Sequence, residues 1–137
     1  MHSIVYRQNF IPRAEEIRVL YEDAGWSTYT FDMPRLMQAM RCSLLVITAW
    51  DEDALCGLIR VVGDGLTIIY IQDLLVKKSH QRNGIGAALV RGVCYTYHNV
   101  RQKVLMTDDT PSTRAFYESL GFLSCDKGEL VSFVKFD

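Results

Sequence analysis

The residues best suited to chemistry in this chain lie between Ile71 and Leu89. The stretch runs Ile71-Gln72-Asp73-Leu74-Leu75-Val76-Lys77-Lys78-Ser79-His80-Gln81-Arg82-Asn83-Gly84-Ile85-Gly86-Ala87-Ala88-Leu89. An apolar run ending in Leu75-Val76 gives way to a polar turn, and Gly84 and Gly86 then open a helix-forming run. Glycine lets a backbone approach a ligand closely, and the first amides of a helix point outward at the positive end of its dipole. Amides from Gln81 through Ala87, with Arg82 as added charge, Asn83 before the first glycine and Ile85 between the two, would suit a phosphate. A tight turn with no ligand uses the same glycines, so spacing alone leaves both readings open. Neither a dinucleotide fingerprint nor a P-loop is present, because the third glycine and the Gly-Lys-Ser/Thr ending are missing.

A second cluster is Thr110-Pro111-Ser112-Thr113-Arg114-Ala115-Phe116-Tyr117-Glu118-Ser119-Leu120-Gly121-Phe122. Tyr117 carries a phenol with an ordinary pKa near ~10, able to hydrogen-bond or protonate a thiolate whose thiol lies near ~8.5. Phe116 and Phe122 read as core aromatics beside a helix stop at Gly121, and Tyr117 admits that reading too.

Positioning these residues requires a definite order of elements. Residues 2–7 read as a first strand, and a helix starts after Pro12 and stops at Gly25. Asp32 caps a second helix with Pro34 in its first turn. Strands follow at Ser43–Trp50, Ala54–Val62 and Leu66–Val76, joined by turns at Asp51-Glu52-Asp53 and Gly63-Asp64-Gly65. A helix from Gly84 to about His98, a strand at Val104–Thr107 and a helix at Ser112–Leu120 come next. Phe122–Cys125 and Leu130–Phe136 read as a closing hairpin. The fold class is α+β, in the order β-α-α-β-β-β-α-β-α-β-β, with a mixed, mostly antiparallel central sheet flanked by helices.

Gln81-x-x-Gly84-x-Gly86-Ala87 after a strand ending in Leu75-Val76 resembles the acetyl-CoA motif of the GNAT N-acetyltransferase superfamily. The resemblance extends in order over nearly the whole chain, and Phe116-Tyr117-Glu118-x-x-Gly121-Phe122 is similar to the family's second signature. It implies one domain over residues 1–137. It also implies acetyl-CoA as cosubstrate, with the amides from Gln81 to Gly86 on the pyrophosphate and Leu75 and Val76 aligning the pantetheine and thioester. Tyr117 would lie near the CoA sulfur and supply a proton to the departing thiolate. Many members carry Asn where this chain has Thr110, whose shorter side chain would contact the pantetheine arm. No metal is implied, and the family's habit implies a homodimer.

The resemblance further implies transfer to a primary amine, by direct attack in a ternary complex, with a small-molecule acceptor covered by the early helices. An alkyl ammonium with pKa near ~10.4 must lose a proton before it attacks. Tyr70-Ile71-Gln72-Asp73 resembles a Tyr-x-Glu-Asp stretch of polyamine-type members, with Gln72 in place of the titratable Glu. Asp73 then reads as base or amine anchor, or as a strand-edge carboxylate tied to backbone amides. The two side chains face opposite ways unless a bulge intervenes. Glu22, Asp23 and Asp32 are alternative acids, and Trp26, Tyr29 and Phe31 form an apolar wall or part of the core. His80 and His98 read as a loop residue and a helix-end residue. Two other readings stand beside this one: a CoA-binding sensor without turnover, and an acetyltransferase of protein lysines or N-termini.

Bulk composition agrees with a globular enzyme. The 137 residues are 49% hydrophobic and carry 15 basic against 16 acidic side chains, with no basic stripe for nucleic acid. Apolar runs are too short for a membrane span, and no signal peptide is recognised at Met1-His2-Ser3. Cys42, Cys56, Cys94 and Cys125 form no CxxC pair and read as reduced, mostly buried thiols of a cytoplasmic protein.

Overall fold

A computed structural model describes residues 3–137, in two compact units, one ending at Met106 and the other beginning at Thr107. The first unit starts with strand β1 (Ile4–Gln8), so the expected strand start at His2 lies outside the described residues. Helices α1 (Ala14–Asp23), α2 (Ser27–Thr30) and α3 (Met33–Cys42) follow. The Asp32 carboxylate accepts the Arg35 amide at 3.1 Å and Pro34 sits in the first turn, as the cap pattern requires. The four-residue α2 has no signature in the sequence, being too short to show a helical period.

Strands β2 (Leu45–Asp51), β3 (Ala54–Gly63), β4 (Ile68–Val76) and β5 (Gln102–Leu105) complete a sheet in the order β1-β2-β3-β4-β5. Its pairs are antiparallel except β4 with β5, which helix α4 (Ile85–Thr96) connects in parallel. The Asp64 carboxylate accepts the amides of Leu66, Thr67 and Ile68, which holds Leu66 and Thr67 in the turn and delays β4 to Ile68. Gly63 has φ +135°, and a Cβ there would lie 2.5 Å from the Ile68 carbonyl oxygen, so this turn admits no side chain.

Helices α1 and α3 bury Ile17, Leu20, Tyr21, Met33, Leu36 and Met40 against Val46, Trp50, Leu58 and Leu75 of the sheet. Alternation sends Ile47 to the opposite face, where α4 packs so closely that a Cβ on Gly92 would meet Ile47 Cδ1 at 3.2 Å. A Cβ on Gly57 would meet Ile85 Cγ2 at 3.1 Å, so the start of α4 is pressed onto β3. With both faces covered, β2 is buried along nearly all its length.

The register slips twice. Ala49 pairs with Gly57 and Trp50 with Leu55, making Cys56 an extra residue in β3. Arg60 pairs with Asp73 and Val61 with Ile71, making Gln72 an extra residue in β4.

The second unit contains helix α5 (Pro111–Ser119) and a 3-10 turn at Cys125–Lys127. The expected closing hairpin is absent: no strand occurs beyond Leu105, and Leu130, Val131, Phe133 and Phe136 are exposed. Ser124 and Asp126 bond each other and both bond the Arg114 guanidinium, a local arrangement that competes with an extended strand.

Candidate active site

Backbone and side-chain bonds lock the turn after β4. Lys77 donates its amide to the Cys56 carbonyl at 2.8 Å, and Lys78 donates its amide to Asp23 Oδ2 at 2.9 Å. A 3-10 turn spans Lys78–His80. The Gln81 side chain donates to the Val76 carbonyl at 3.2 Å, and the Asn83 amide donates to the carbonyls of His80 and Gln81, each at 3.2 Å. Gln81 and Asn83 therefore shape the loop with their side chains.

Arg82 and Gly84 have φ of 64° and 79°, and the chain turns directly from Gly84 into α4. The amides of a helix's first turn have no intrahelical acceptor, and here no side-chain cap at Gly84 takes their place. A Cβ added at Gly84 would find no atom within 4 Å. Outward amides, a helix dipole and bare space at a left-handed glycine fit a phosphate group. Buried Ile85 anchors the helix start to β3, and Gly86 and Ala87 follow in the first turn.

Leu75 is buried in the core while Val76 is half-buried at the strand end. β5 pairs only with Ile68–Ile71, whereas β3 accompanies β4 through Val76. From Gln72 onward no strand of this unit borders that side of β4.

A polar cluster with a buried ion pair lies at the bulge. Arg60 Nε donates to Asp73 Oδ2 at 2.8 Å. Tyr21 Oη donates to the same oxygen at 2.8 Å, and Tyr29 Oη donates to Asp73 Oδ1 at 3.0 Å. The carboxylate is thus tied to side chains instead of the backbone amides considered from the sequence. Burial opposes the Arg60 charge, but Asp73 more than offsets this and holds Arg60 above its ordinary value. Burial, then the nearby carboxylate, pushes both tyrosines above the usual phenol range.

The bulge also brings Gln72 to the cluster, since Gln72 Nε2 donates to Tyr29 Oη at 3.0 Å. Neighbours that would diverge on a regular strand thereby meet on one hydroxyl. Sequence reasoning missed Arg60, although an arginine inside the apolar run Ala54–Val62 signals a buried partner.

The alternative acids separate cleanly. Asp23 and Asp32 are bound to backbone amides, and Glu22 is exposed. Trp26 and Tyr29 pack with Tyr21 at centroid distances of 5.4–6.0 Å, while Phe31 is 94% exposed and forms no wall. α4 stops at Thr96, and His98 lies in the turn just beyond it, with Nδ1 3.0 Å from the Tyr95 carbonyl. His80 is a loop residue with partners the sequence did not reveal, Ser79 Oγ at 2.8 Å and Asp51 Oδ2 at 2.9 Å.

In the second unit, Tyr117 is half-buried, with its ring edge-on to Phe116 at 4.9 Å and to Phe122 at 5.9 Å. Burial raises its pKa, so it holds its proton at neutral pH. Thr110 Oγ1 accepts the Thr113 amide at 3.2 Å and donates to Thr113 Oγ1 at 2.7 Å, so its hydroxyl caps α5. Among the described residues, no cluster of three or more His, Cys, Asp or Glu could hold a metal ion, and no helix is long and apolar enough to cross a membrane.

Residues 15–135 match the family model described as an acetyltransferase (GNAT) domain. The chain belongs to the GNAT family. It is similar to a solved GNAT acetyltransferase from Streptococcus pneumoniae TIGR4, with 32% identity, 98% of each chain covered and a TM-score of 0.88. An uncharacterized N-acetyltransferase ycf52-like protein of Prochlorococcus marinus is 28% identical over 124 residues, covering 86% of this chain and 67% of that protein. The fold is also that of an aminoglycoside acetyltransferase from an uncultured soil metagenomic sample, solved in complex with sisomicin. There the TM-score is 0.74, with 19% identity, and 98% of this chain and 95% of that one are covered. This GNAT member is an acetyl-CoA-dependent acyltransferase.

Proposed function

We propose that the enzyme transfers acetyl from acetyl-CoA to a primary amine of a small molecule, by direct attack within a ternary complex. The observation that carries this reading is the uncapped start of α4, with left-handed Gly84 opening onto bare space. In this reading the amides from Gln81 through Ala87 receive the pyrophosphate, Arg82 adds charge, and the side of β4 beyond β5 takes the pantetheine near Leu75 and Val76. The amine lone pair attacks the thioester carbonyl carbon, the C–S bond breaks, and the thiolate leaves with the bonding pair. Tyr117 is the proposed donor of the proton that neutralises this thiolate, on the strength of its match to the family's second signature. Thr110 serves by starting α5, and Asp73 is a positioning group whose carboxylate is engaged by Arg60, Tyr21 and Tyr29.

Calorimetry and thiol release test the reading together. Acetyl-CoA should bind in the micromolar range or tighter, and amines should release free CoA thiol. Gly84→Asp places a carboxylate where the phosphate would sit and should abolish binding. Equal binding by wild type and variant would remove the loop from the site. The four cysteines are unpaired, which supports a reducing compartment, and we place the protein in the cytoplasm on that basis. The homodimer implied by the family's habit is checked by sedimentation equilibrium.

A further inference from the structure

Four side chains at the β4 bulge form one hydrogen-bonded chain, and its direction can be deduced. Asp73 is buried against Arg60, and its carboxylate can only accept. The single proton of the Tyr29 hydroxyl therefore goes to Asp73 Oδ1, and towards Gln72 that hydroxyl can only accept. Gln72 must then present its NH2 to Tyr29, which turns its carbonyl oxygen away from the cluster. Gln72 is exposed, so this carbonyl is the outward acceptor of a chain that begins at a buried arginine.

The charges behind this surface offset each other. Asp73 and Arg60 are the charged groups acting on Tyr29, and they form an ion pair 2.8 Å apart. From α1 the chain is joined by Tyr21, whose raised pKa keeps it neutral. Elsewhere on α1 and α3, Asp23 and Asp32 are tied to backbone amides and Glu22 is exposed. Gln72 lies four residues before Val76, or ~13 Å along a strand. A pantetheine arm laid along β4 from the loop past Val76 and Leu75 would run towards Gln72, so that Gln72 stands ahead of the thioester on the acceptor's side.

We infer that Gln72, oriented by Tyr29 and the Arg60–Asp73 pair, receives the acceptor amine as an uncharged nucleophile and so selects weakly basic amines over lysine-like ones. This inference rests on the acetyl transfer proposed above. A neutral carbonyl takes one N–H of the amine and leaves the lone pair free for the thioester carbon. A carboxylate there would instead bind the ammonium form by charge and take its proton as a general base, which would open the site to lysine-like amines. After attack, the nitrogen gives up one proton to solvent and the thiolate accepts one, so the exchange balances without a protein base. At pH 7 about a tenth of an α-amine with pKa near 8 is neutral, against less than a thousandth of a lysine-like amine near 10.4, a ratio on the order of a hundred. Two sources supply weakly basic amines, peptide α-amino groups and amino sugars.

The test measures thiol release from acetyl-CoA with glycinamide, a short peptide with a free N-terminus, glucosamine and Nα-acetyl-lysinamide, from pH 6 to 10. The weakly basic amines should exceed the lysine-like one at least tenfold in kcat/KM at pH 7, and the gap should close towards pH 10. The peptide and glucosamine arms separate the two sources. Each wild-type profile should rise to the amine's own pKa without an earlier break. Gln72→Glu should raise kcat/KM for Nα-acetyl-lysinamide about tenfold at pH 7 while leaving acetyl-CoA affinity unchanged. A wild-type preference for the lysine-like amine at pH 7, a break below the amine's pKa, or no response to Gln72→Glu would overturn the inference while leaving acetyl transfer intact. Silence with every amine despite acetyl-CoA binding would overturn the amine transferase reading, and this inference with it.

Discussion

Arg60 Nε lies 2.8 Å from Asp73 Oδ2, with the two side chains 7% and 1% exposed. Both stand at the register slip that releases Gln72 from pairing, so the ion pair and the bulge are one feature of the β3–β4 ladder. A buried pair of this kind contributes little net stability beyond its own desolvation, but it makes removal of either partner costly.

Asp73→Asn or Arg60→Met alone should therefore destabilise the protein by about 3–5 kcal/mol, because each leaves a buried charge unpaired. Arg60→Met combined with Asp73→Leu should cost less than the sum of the single changes. Urea unfolding of the four proteins checks this. Strictly additive losses would mean that the two charges do not interact across the bulge.

Alkaline stability should depend on Tyr21. Its hydroxyl donates to Asp73, and its pKa is raised from 10.0 by burial first and by Asp73 second. Below pH 10 folded and unfolded chains both keep the proton, and the stabilising effect is fully present. Above pH 10 the unfolded chain releases it while the folded one retains it, so stability should fall by about 1.4 kcal/mol per pH unit. Tyr21→Phe should be less stable at pH 8 yet show a shallower decline between pH 10 and 11.5. Parallel declines in the two proteins would show that Tyr21 titrates normally.

The four thiols should react in a graded order without prior reduction. Cys42 and Cys125 are exposed, Cys94 is half-buried, and Cys56 is fully buried with its pKa raised by desolvation. Two thiols were thus placed in solvent where the sequence reading expected mostly buried ones. A thiol reagent should modify Cys42 and Cys125 at once, Cys94 more slowly, and Cys56 only in denaturant. Failure of any pair to react in denaturant would reveal a disulfide and count against a cytoplasmic location.

The elements were legible where local chemistry decides them. Asp32 with Pro34, Gly84 before an apolar helix, and the turn at Gly63-Asp64-Gly65 each declare themselves within a few residues. The bulge was not legible, because a period of two marks the face of a strand and not where its register slips. Without the slip nothing connects Gln72 to Tyr29, 43 residues away and on a helix of four residues. The closing hairpin failed for a related reason. Leu130–Phe136 has the composition of a strand, but composition names no partner, and a strand exists only when its ladder is made.

Tyr117 offers the sharpest test of the proposed mechanism. Its ring packs edge-on against Phe116 and Phe122, and Tyr117→Phe keeps that ring while removing only the hydroxyl. Stability should therefore change little. A general acid contributes roughly 10²–10⁴-fold in rate, so kcat should fall by about that factor while acetyl-CoA affinity holds. Because burial raises its pKa, Tyr117 carries its proton throughout the neutral range, and no inflection from its ionisation should appear between pH 6 and 9. An acetyl donor with a more acidic thiol should shrink the deficit of the variant, since a better leaving group needs less protonation. Wild-type turnover by Tyr117→Phe with acetyl-CoA would make Tyr117 a packing residue. The thiolate's proton would then have to come from water or from the acceptor amine itself.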